Sequence, residues 1–509
     1  MTEANRIKRI SYEQLQSGSV LLVFLLLIII GSGYMLLTRL NVTARHSVYN
    51  QRTAVALAQA KQALIAYAVT YYESNPGKYG FLPCPDSLPT LGTEGNQDPG
   101  CGSRNVNSLG RLPWKSLGLP PPRDGDGECL WYAVSGEYKV NKATRMLNED
   151  SNGTFRIYKP DGTGLLAGTA PADRPVAVII APGRALTVQN QDHTLEAGAV
   201  ICGGNYTASN YLDAEVPAPL PSGILNYALE TGNKDRVDTF ISSSNATRET
   251  FNDVIAFITR REIFDAIRKR NDYAQKLYDS AAVNNLTRNA ADCVRKWGLS
   301  HGGGNYSLPW PAPVDLDDYR KNGDYDDVNG SANLLSGRLP NKIKSSRDAV
   351  GGGSDKLIEN CSNFTSSAEL MALWKNWKDH LFYAVADAYQ PAAGATPACG
   401  NGLRCITVNN NYPANANRDY AAVVIFSNTP LPALNQIRDA PPIDADNKAD
   451  INNYLEGSNN PVLYTDSAGD DTKRYDQLNT TSTFNDVLYC INDDDGGSDT
   501  LAVTPCPSI

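Results

Sequence analysis

Leu130-Trp131-Tyr132-Ala133-Val134 returns later in the chain as Leu381-Phe382-Tyr383-Ala384-Val385. Aromatic and β-branched residues packed this densely suit a buried strand rather than a ligand platform. The same duplication extends outward from these two runs. Val176-Ala177-Val178-Ile179-Ile180 is matched by Ala422-Val423-Val424-Ile425-Phe426, and Gly110-Arg111-Leu112-Pro113 by Gly337-Arg338-Leu339-Pro340. Phe251-Asn252-Asp253-Val254 recurs identically as Phe484-Asn485-Asp486-Val487, and Asn226-Tyr227-Ala228-Leu229-Glu230 resembles Asn453-Tyr454-Leu455-Glu456. Five matches in one order predict two related lobes, each built of short strands, turns and a leading helix. Because register follows which face is buried, equivalent strands should bury equivalent side chains.

Upstream of the first lobe lies an uncharged run, Val20 to Leu37, VLLVFLLLIIIGSGYMLL. Eighteen residues at ~1.5 Å each cover about 27 Å, enough to cross a hydrocarbon core, and no A-x-A cleavage pattern follows. The alanine-rich segment 54–72 continues with apolar residues at helical spacing until Asn75-Pro76-Gly77. One helix over 19–72 would be about 80 Å long. The fold class expected is therefore α+β: a long N-terminal membrane-spanning helix (membrane part 20–37) followed by two related α+β lobes with antiparallel sheets. The divisions are a leader over 1–18, the helix over 19–72, a first lobe over 73–260, an amphipathic helix over 261–298 and a second lobe over 299–509.

Composition narrows function. Forty-six basic residues against 55 acidic give a net charge of −9, which argues against nucleic-acid binding, since phosphate contacts need a basic surface. The ten cysteines form no CxxC motif and no zinc-like set, so they point to disulfides in an oxidising exterior. Cys399/Cys405, Cys490/Cys506 and Cys84/Cys101 are the expected bridges. Arginines and lysines flank the apolar run on both sides, so the oxidising exterior decides the orientation: N-terminus in the cytoplasm, the rest outside.

The four histidines, His46, His193, His301 and His380, sit in unlike contexts without GxSxG or HExxH, and an enzyme is not expected. Gly302–Gly304 and Gly351–Gly353 lack the Lys-Ser/Thr of a phosphate loop and read as linkers. Asp124-Gly125-Asp126-Gly127-Glu128 places three carboxylates on alternate positions of a glycine-bearing turn, a set that can supply oxygens to calcium. Clusters at Asp324, Asp326 and Asp327, and at Asp493, Asp494, Asp495 and Asp499, are weaker versions. An acidic D-G turn exposed to solvent explains all three equally well.

A short basic leader ending in Gly18, an immediate apolar stretch and one long helix feeding a head resemble a type IV prepilin or type II secretion pseudopilin. Leu82-Pro83-Cys84-Pro85-Asp86, Gly110–Trp114 and the segment 124–135 likewise resemble a family of bacterial pilin-like proteins. The resemblance implies a structural, non-enzymatic subunit in the bacterial inner membrane, single-pass, its large region in the periplasm or on the cell surface. It implies a prepilin peptidase that cuts after Gly18, methylation of Ser19, and other pilins or pseudopilins as partners. Where such proteins carry glutamate five residues after the cut, this chain has Val23, as in the atypical minor pseudopilin at a filament tip. The competing expectation is a non-polymerising, signal-anchored periplasmic binding or adhesion protein.

Overall fold

The computed structural model describes Leu25 and most of residues 47–506. Besides the rest of 1–46 and 507–509, the longer stretches outside the description are 141–145, 192–198, 216–223, 230–236, 244–250, 278–284, 302–306, 328–334, 344–356, 392–404, 409–418, 460–472, 476–480 and 494–500. The first long element is helix α1, residues 47–74, about 42 Å at ~1.5 Å per residue. Thr53, Ala56, Leu57, Ala60, Leu64 and Ala68 are buried along it, three or four residues apart on one stripe.

The membrane-spanning helix in the expected fold class is corrected by this arrangement. No described helix is long and apolar enough to cross a membrane. The outer face of α1 carries Gln51, Arg52, Gln59 and Glu73, so the helix has one apolar stripe and suits a sheet surface rather than lipid. Of the run 20–37 only Leu25 is described, helical and exposed; the remainder lies outside the described residues.

In the first lobe the strands are β1 (Ser108–Arg111), β2 (Trp131–Val134), β3 (Phe155–Tyr158), β4 (Leu165–Ala167), β5 (Pro175–Ala181), β6 (Ala214–Glu215), β7 (Ile224–Leu225), β8 (Asp238–Ile241) and β9 (Val254–Thr259). A central antiparallel sheet runs β1-β2-β5-β9. Alternation sends Tyr132, Val134, Ala177 and Ile179 into the core shared with α1. Trp131, Ala133, Val178 and Ile180 point the other way, to Phe155, Ile157 and Phe240 of the small sheet β4-β3-β8. The lobe is thus helix, sheet and sheet in three layers.

The second lobe follows with β10 (Ser336–Arg338), β11 (Leu381–Val385), β12 (Ile406–Val408), β13 (Asp419–Phe426), β14 (Lys473–Tyr475), β15 (Val487–Asp493) and β16 (Leu501–Pro505). Its frame β10-β11-β13-β15 repeats the first lobe's order with all pairs antiparallel. Register repeats as well. Gly110 faces Tyr132 and Arg111 faces Trp131, as Gly337 faces Tyr383 and Arg338 faces Phe382. An irregularity between Pro175 and Ala177 recurs between Tyr420 and Ala422. A Cβ on Gly110 would strike the Asp86 carbonyl, and one on Gly337 the Ala312 carbonyl, so the glycine of each GRLP segment lets the preceding loop lie against the strand.

One expected match is wrong. Tyr454-Leu455-Glu456 occupies the place of Tyr211-Leu212-Asp213, not of Tyr227-Ala228-Leu229. The proof is a repeated polar lock. Backbone N–H groups of Asn252 and Asp253 donate to Asp213, whose own N–H donates to Asp253; likewise Asn485 donates to Glu456, whose N–H donates to Asp486. Asn226 and Asn459 each add a side-chain amide to the second acid. Burial, then the neighbouring carboxylate, pushes Asp253 and Asp486 well above the ordinary carboxylate range.

The helices of the second unit also differ from expectation. Instead of one helix over 261–298, α2 (Arg260–Arg268) ends at a turn over Lys269 and Arg270, and α3 (Leu286–His301) follows, with Tyr273 and Leu277 also helical between them. Thr259 and Glu262 form a reciprocal capping box that starts α2, and Asn285 accepts the Arg288 N–H at the head of α3 (2.8 Å). α3 lies on β13, β15 and β16, where α1 lies in the first lobe. Helices α4 (Ser362–Thr365) and α5 (Ala368–Trp377) follow.

Disulfides join Cys84 to Cys101 and Cys490 to Cys506, as expected. Cys405 is disulfide-bonded; Cys399 lies outside the described residues. Two long-range bridges had no local sequence signal: Cys129–Cys202 and Cys293–Cys361. Closing loops of 73 and 68 residues is worth about 4 kcal/mol each in the chain-entropy picture.

Candidate functional site at the seam between the lobes

The two lobes meet through a short first-lobe segment, Met146-Leu147-Asn148-Glu149-Asp150-Ser151-Asn152. Asn148 donates to the Asn376 carbonyl (3.0 Å) and to Asp379 (2.9 Å), while Asn376 donates to the Gly77 carbonyl (2.7 Å). Glu149 accepts from the Trp377 indole N–H at 2.8 Å. Nearer solvent, Arg320 pairs with Glu137 (3.2 Å) and Arg174 with Asp444 (3.0 Å). Glu137, Arg320 and Asp444 line a cleft of about 90 Å³ between the lobes, floored by Asp150 and Lys448.

Beneath the cleft lies a buried cluster of alternating charge. His380 Nε2 is 3.0 Å from Asp150, and its Nδ1 lies 2.8 Å from the Ser427 carbonyl. Arg438 reaches Asp150 at 3.4 Å, and Lys448 is ion-paired with Asp379. Topology explains the placement. Asp379 and His380 sit just before strand β11, so its start carries them to the seam, where the imidazole stacks on Phe426 (5.4 Å between centroids).

Each charge is set by its neighbours against its burial. Burial would raise Asp150, but Arg438 and His380 overcome it and hold the carboxyl well below the usual range. Asp379 moves the same way, with Lys448 and then His380 opposing burial. Burial would lower His380, yet Asp150 and Asp379 raise it, and its two ring nitrogens face Asp150 and the Ser427 carbonyl. Lys448 is also raised, chiefly by Asp379 against its burial.

Asp150, Asp379 and His380 bring ligand atoms within 4.8 Å of one another, close enough for a metal ion. The donor set does not fit one. Both carboxylates already carry cationic partners, Arg438 on Asp150 and Lys448 on Asp379. A divalent ion would have to displace Lys448 and deprotonate His380 in a site that three cations already balance.

The site residues read from sequence fall elsewhere. Gly18 and Ser19 lie outside the described residues, as do His46 and His193. Asp124 is the hub of its turn: Oδ1 accepts the N–H groups of Asp126 and Glu128 (2.9 Å each) and Oδ2 that of Gly183 (2.8 Å). Burial, only partly offset by these bonds, raises its pKa. The loop also docks on α1, where Gly125 N–H meets the Thr53 hydroxyl at 2.9 Å. Asp324 accepts the Asp318 N–H (2.9 Å), and Asp493 ends β15, with its acidic neighbours outside the described residues. None of these joins the seam. The seam itself gave one local hint, the pair Asp379-His380 abutting an apolar strand.

Compared with protein-family models, curated proteins and solved structures, the chain matches none.

Proposed function

We propose that this chain is a structural, pilin-like subunit, exported to an oxidising compartment, whose two lobes act as one rigid head. The observation that supports it most is the helix-on-antiparallel-sheet unit, present twice in the same strand order and locked at the seam by buried ion pairs. Asp379 and His380 have fully buried side chains beneath the cleft that Asp150 floors, so the cluster suits cohesion rather than turnover. Partners would be other pilin-like subunits and a prepilin peptidase acting at Gly18–Ser19. With Val23 in place of an acid, and two lobes on one stalk, a low-copy tip position follows.

Peptide mapping of the mature chain tests this. A methylated N-terminal Ser19 is the expected result, and an unprocessed Met1 on protein recovered from filaments would overturn it. The cleft between the lobes favours a second reading, a non-polymerising binding or adhesion protein. For the calcium expected at Asp124, Asp126 and Glu128, we propose an ion-independent turn. Chelator and millimolar calcium should leave the Tm unchanged, and a calcium-dependent rise would restore the ion-binding reading.

A further inference from the structure

The two sheets end differently. In the second lobe β16 pairs antiparallel along β15, with Cys490 opposite Thr504 and Ile491 opposite Val503. In the first lobe β9 is the equivalent of β15, yet among the described residues β9 pairs only with β5. Superposing the FNDV segments sets Ile255 at Leu488, Phe257 at Cys490 and Ile258 at Ile491. Val254 to Phe257 are all half-buried, as an uncovered edge strand should be.

The hydrogen-bonding groups along this edge can be followed one by one. In the second lobe the Leu488 carbonyl points outward and accepts the Cys506 N–H (3.2 Å). By the same register Ile255, Phe257 and Thr259 turn their backbone groups outward in β9. Two of those N–H groups are already held: Ile255 by the Ser242 hydroxyl (3.3 Å) and Thr259 by Glu262 (3.0 Å). The unclaimed stretch centres on Phe257, at the site where Cys490 faces β16. Side chains on both faces stand ready, since Ile255 and Phe257 pack against the small-sheet core and Val254 and Ala256 against the α1 core.

We infer that β9 is a docking edge for a short extended segment of another protein chain, added antiparallel at Phe257 as β16 is added at Cys490. Its chemistry follows from the strand that fills the duplicate position. In Leu501-Ala502-Val503-Thr504-Pro505 the residues Leu501 and Val503 face the helix-side core and small residues alternate with them. The occupant should therefore alternate branched apolar with small side chains and carry no charge at its centre. Few backbone bonds are on offer, so binding is weak without a tether; in the second lobe the Cys490–Cys506 bridge supplies one.

That bridge provides the test. The described cysteines are all paired, so Phe257→Cys in the full chain adds one thiol at the position of Cys490. The probe is a synthetic peptide of residues 499–507, Asp-Thr-Leu-Ala-Val-Thr-Pro-Cys-Pro. Under a mild thiol–disulfide buffer it should be captured at least tenfold faster than a scrambled peptide containing the same cysteine. Equal capture rates would overturn the inference. Because Phe257→Cys could loosen the lobe, the unaltered chain is examined by hydrogen exchange with millimolar peptide whose cysteine is replaced by serine. Slowed exchange at Phe257 supports an open edge. Unchanged exchange there, or protection confined to the second lobe, rejects it.

Discussion

Arg111 and Arg338 occupy the same place in two copies of one sheet, yet they are held in different ways. Arg338 donates through Nε, Nη1 and Nη2 to the carbonyls of Val314, Asp379 and Lys448. It lies over Tyr319, Phe382 and Tyr454. Arg111 rests over Trp131, Tyr206 and Tyr211 in the same manner, but its bonds run through Nη2 alone, to the carbonyls of Gly203 and Asn205 and to Tyr211. The aromatic box has been kept while its polar surroundings diverged. In the second lobe the arginine grips the backbone of Asp379 and Lys448, so it also steadies the ion pair of the seam. In the first lobe the facing bridge residue is Asp86, where the second lobe has Ala312. Duplicated apolar geometry and the paired acids of the polar lock are therefore kept in both copies, whereas the partners of the boxed arginine are specific to each.

The sharpest way to break this comparison is at the buried cluster of the seam, whose cations His380, Arg438 and Lys448 all come from the second lobe. Asp150→Asn should leave the His380 imidazolium and Arg438 without their carboxylate. Removing one partner from a buried pair costs about 3–5 kcal/mol, read as a lower urea midpoint or as separation of one unfolding transition into two. The variant should also lose pH dependence. His380 is raised in the folded chain, so its contribution is complete below its unfolded pKa and fades as pH rises through the folded one. A loss under 1 kcal/mol would mean that the seam is held by its neutral contacts.

This contrast explains what could be read in advance. LWYAV and LFYAV announce themselves because β-branched and aromatic residues cluster along the chain, and FNDV repeats without change. The expected membrane crossing rests on the apolar run 20–37, which apart from Leu25 lies outside the described residues, while half of the buried stripe of α1 is alanine. Asn226-Tyr227 shares two letters with Asn453-Tyr454, but Asn210-Tyr211-Leu212-Asp213 matches Asn453-Tyr454-Leu455-Glu456 without a gap, and the hydrogen bonds to Asp253 and Asp486 confirm it. Beyond the hint of Asp379-His380 before an apolar strand, the seam is not legible in the sequence, since Asp150 and His380 lie far apart along the chain.

A matched pair of substitutions sharpens the claim that the apolar frame is shared. Gly110→Ala and Gly337→Ala each drive a Cβ into a backbone carbonyl of the preceding loop, which cannot swing aside as a side-chain tip could. Overpacking of this kind costs about 1–3 kcal/mol. The two losses should agree to within about 0.5 kcal/mol when measured singly by chemical denaturation, and should add in the double variant if the sites are independent. A marked inequality would show that the two GRLP segments are equivalent in outline only.

The smallest effect concerns Asp86, the acid that distinguishes the first lobe's arginine box. Its carboxylate accepts from the Gly95 N–H (2.7 Å) and the Tyr206 hydroxyl (3.1 Å). Burial outweighs those bonds and the nearby Arg111, and its pKa is pushed up to about 6. An acid raised in the folded state binds its proton more tightly there than when unfolded. Its contribution is thus fully present below the unfolded value near ~3.9 and is lost as pH rises through about 6. The first lobe should gain on the order of 1 kcal/mol on acidification across that window. Asp86→Ala, which copies Ala312, should flatten the dependence, while Ala312→Asp should create one, because a carboxyl buried there would find Arg338 with its donors already spent on backbone carbonyls. Thermal unfolding between pH 4 and 7 reads both variants. If Asp86→Ala left the pH profile untouched, the divergence between the two arginine boxes would be one of shape and not of charge.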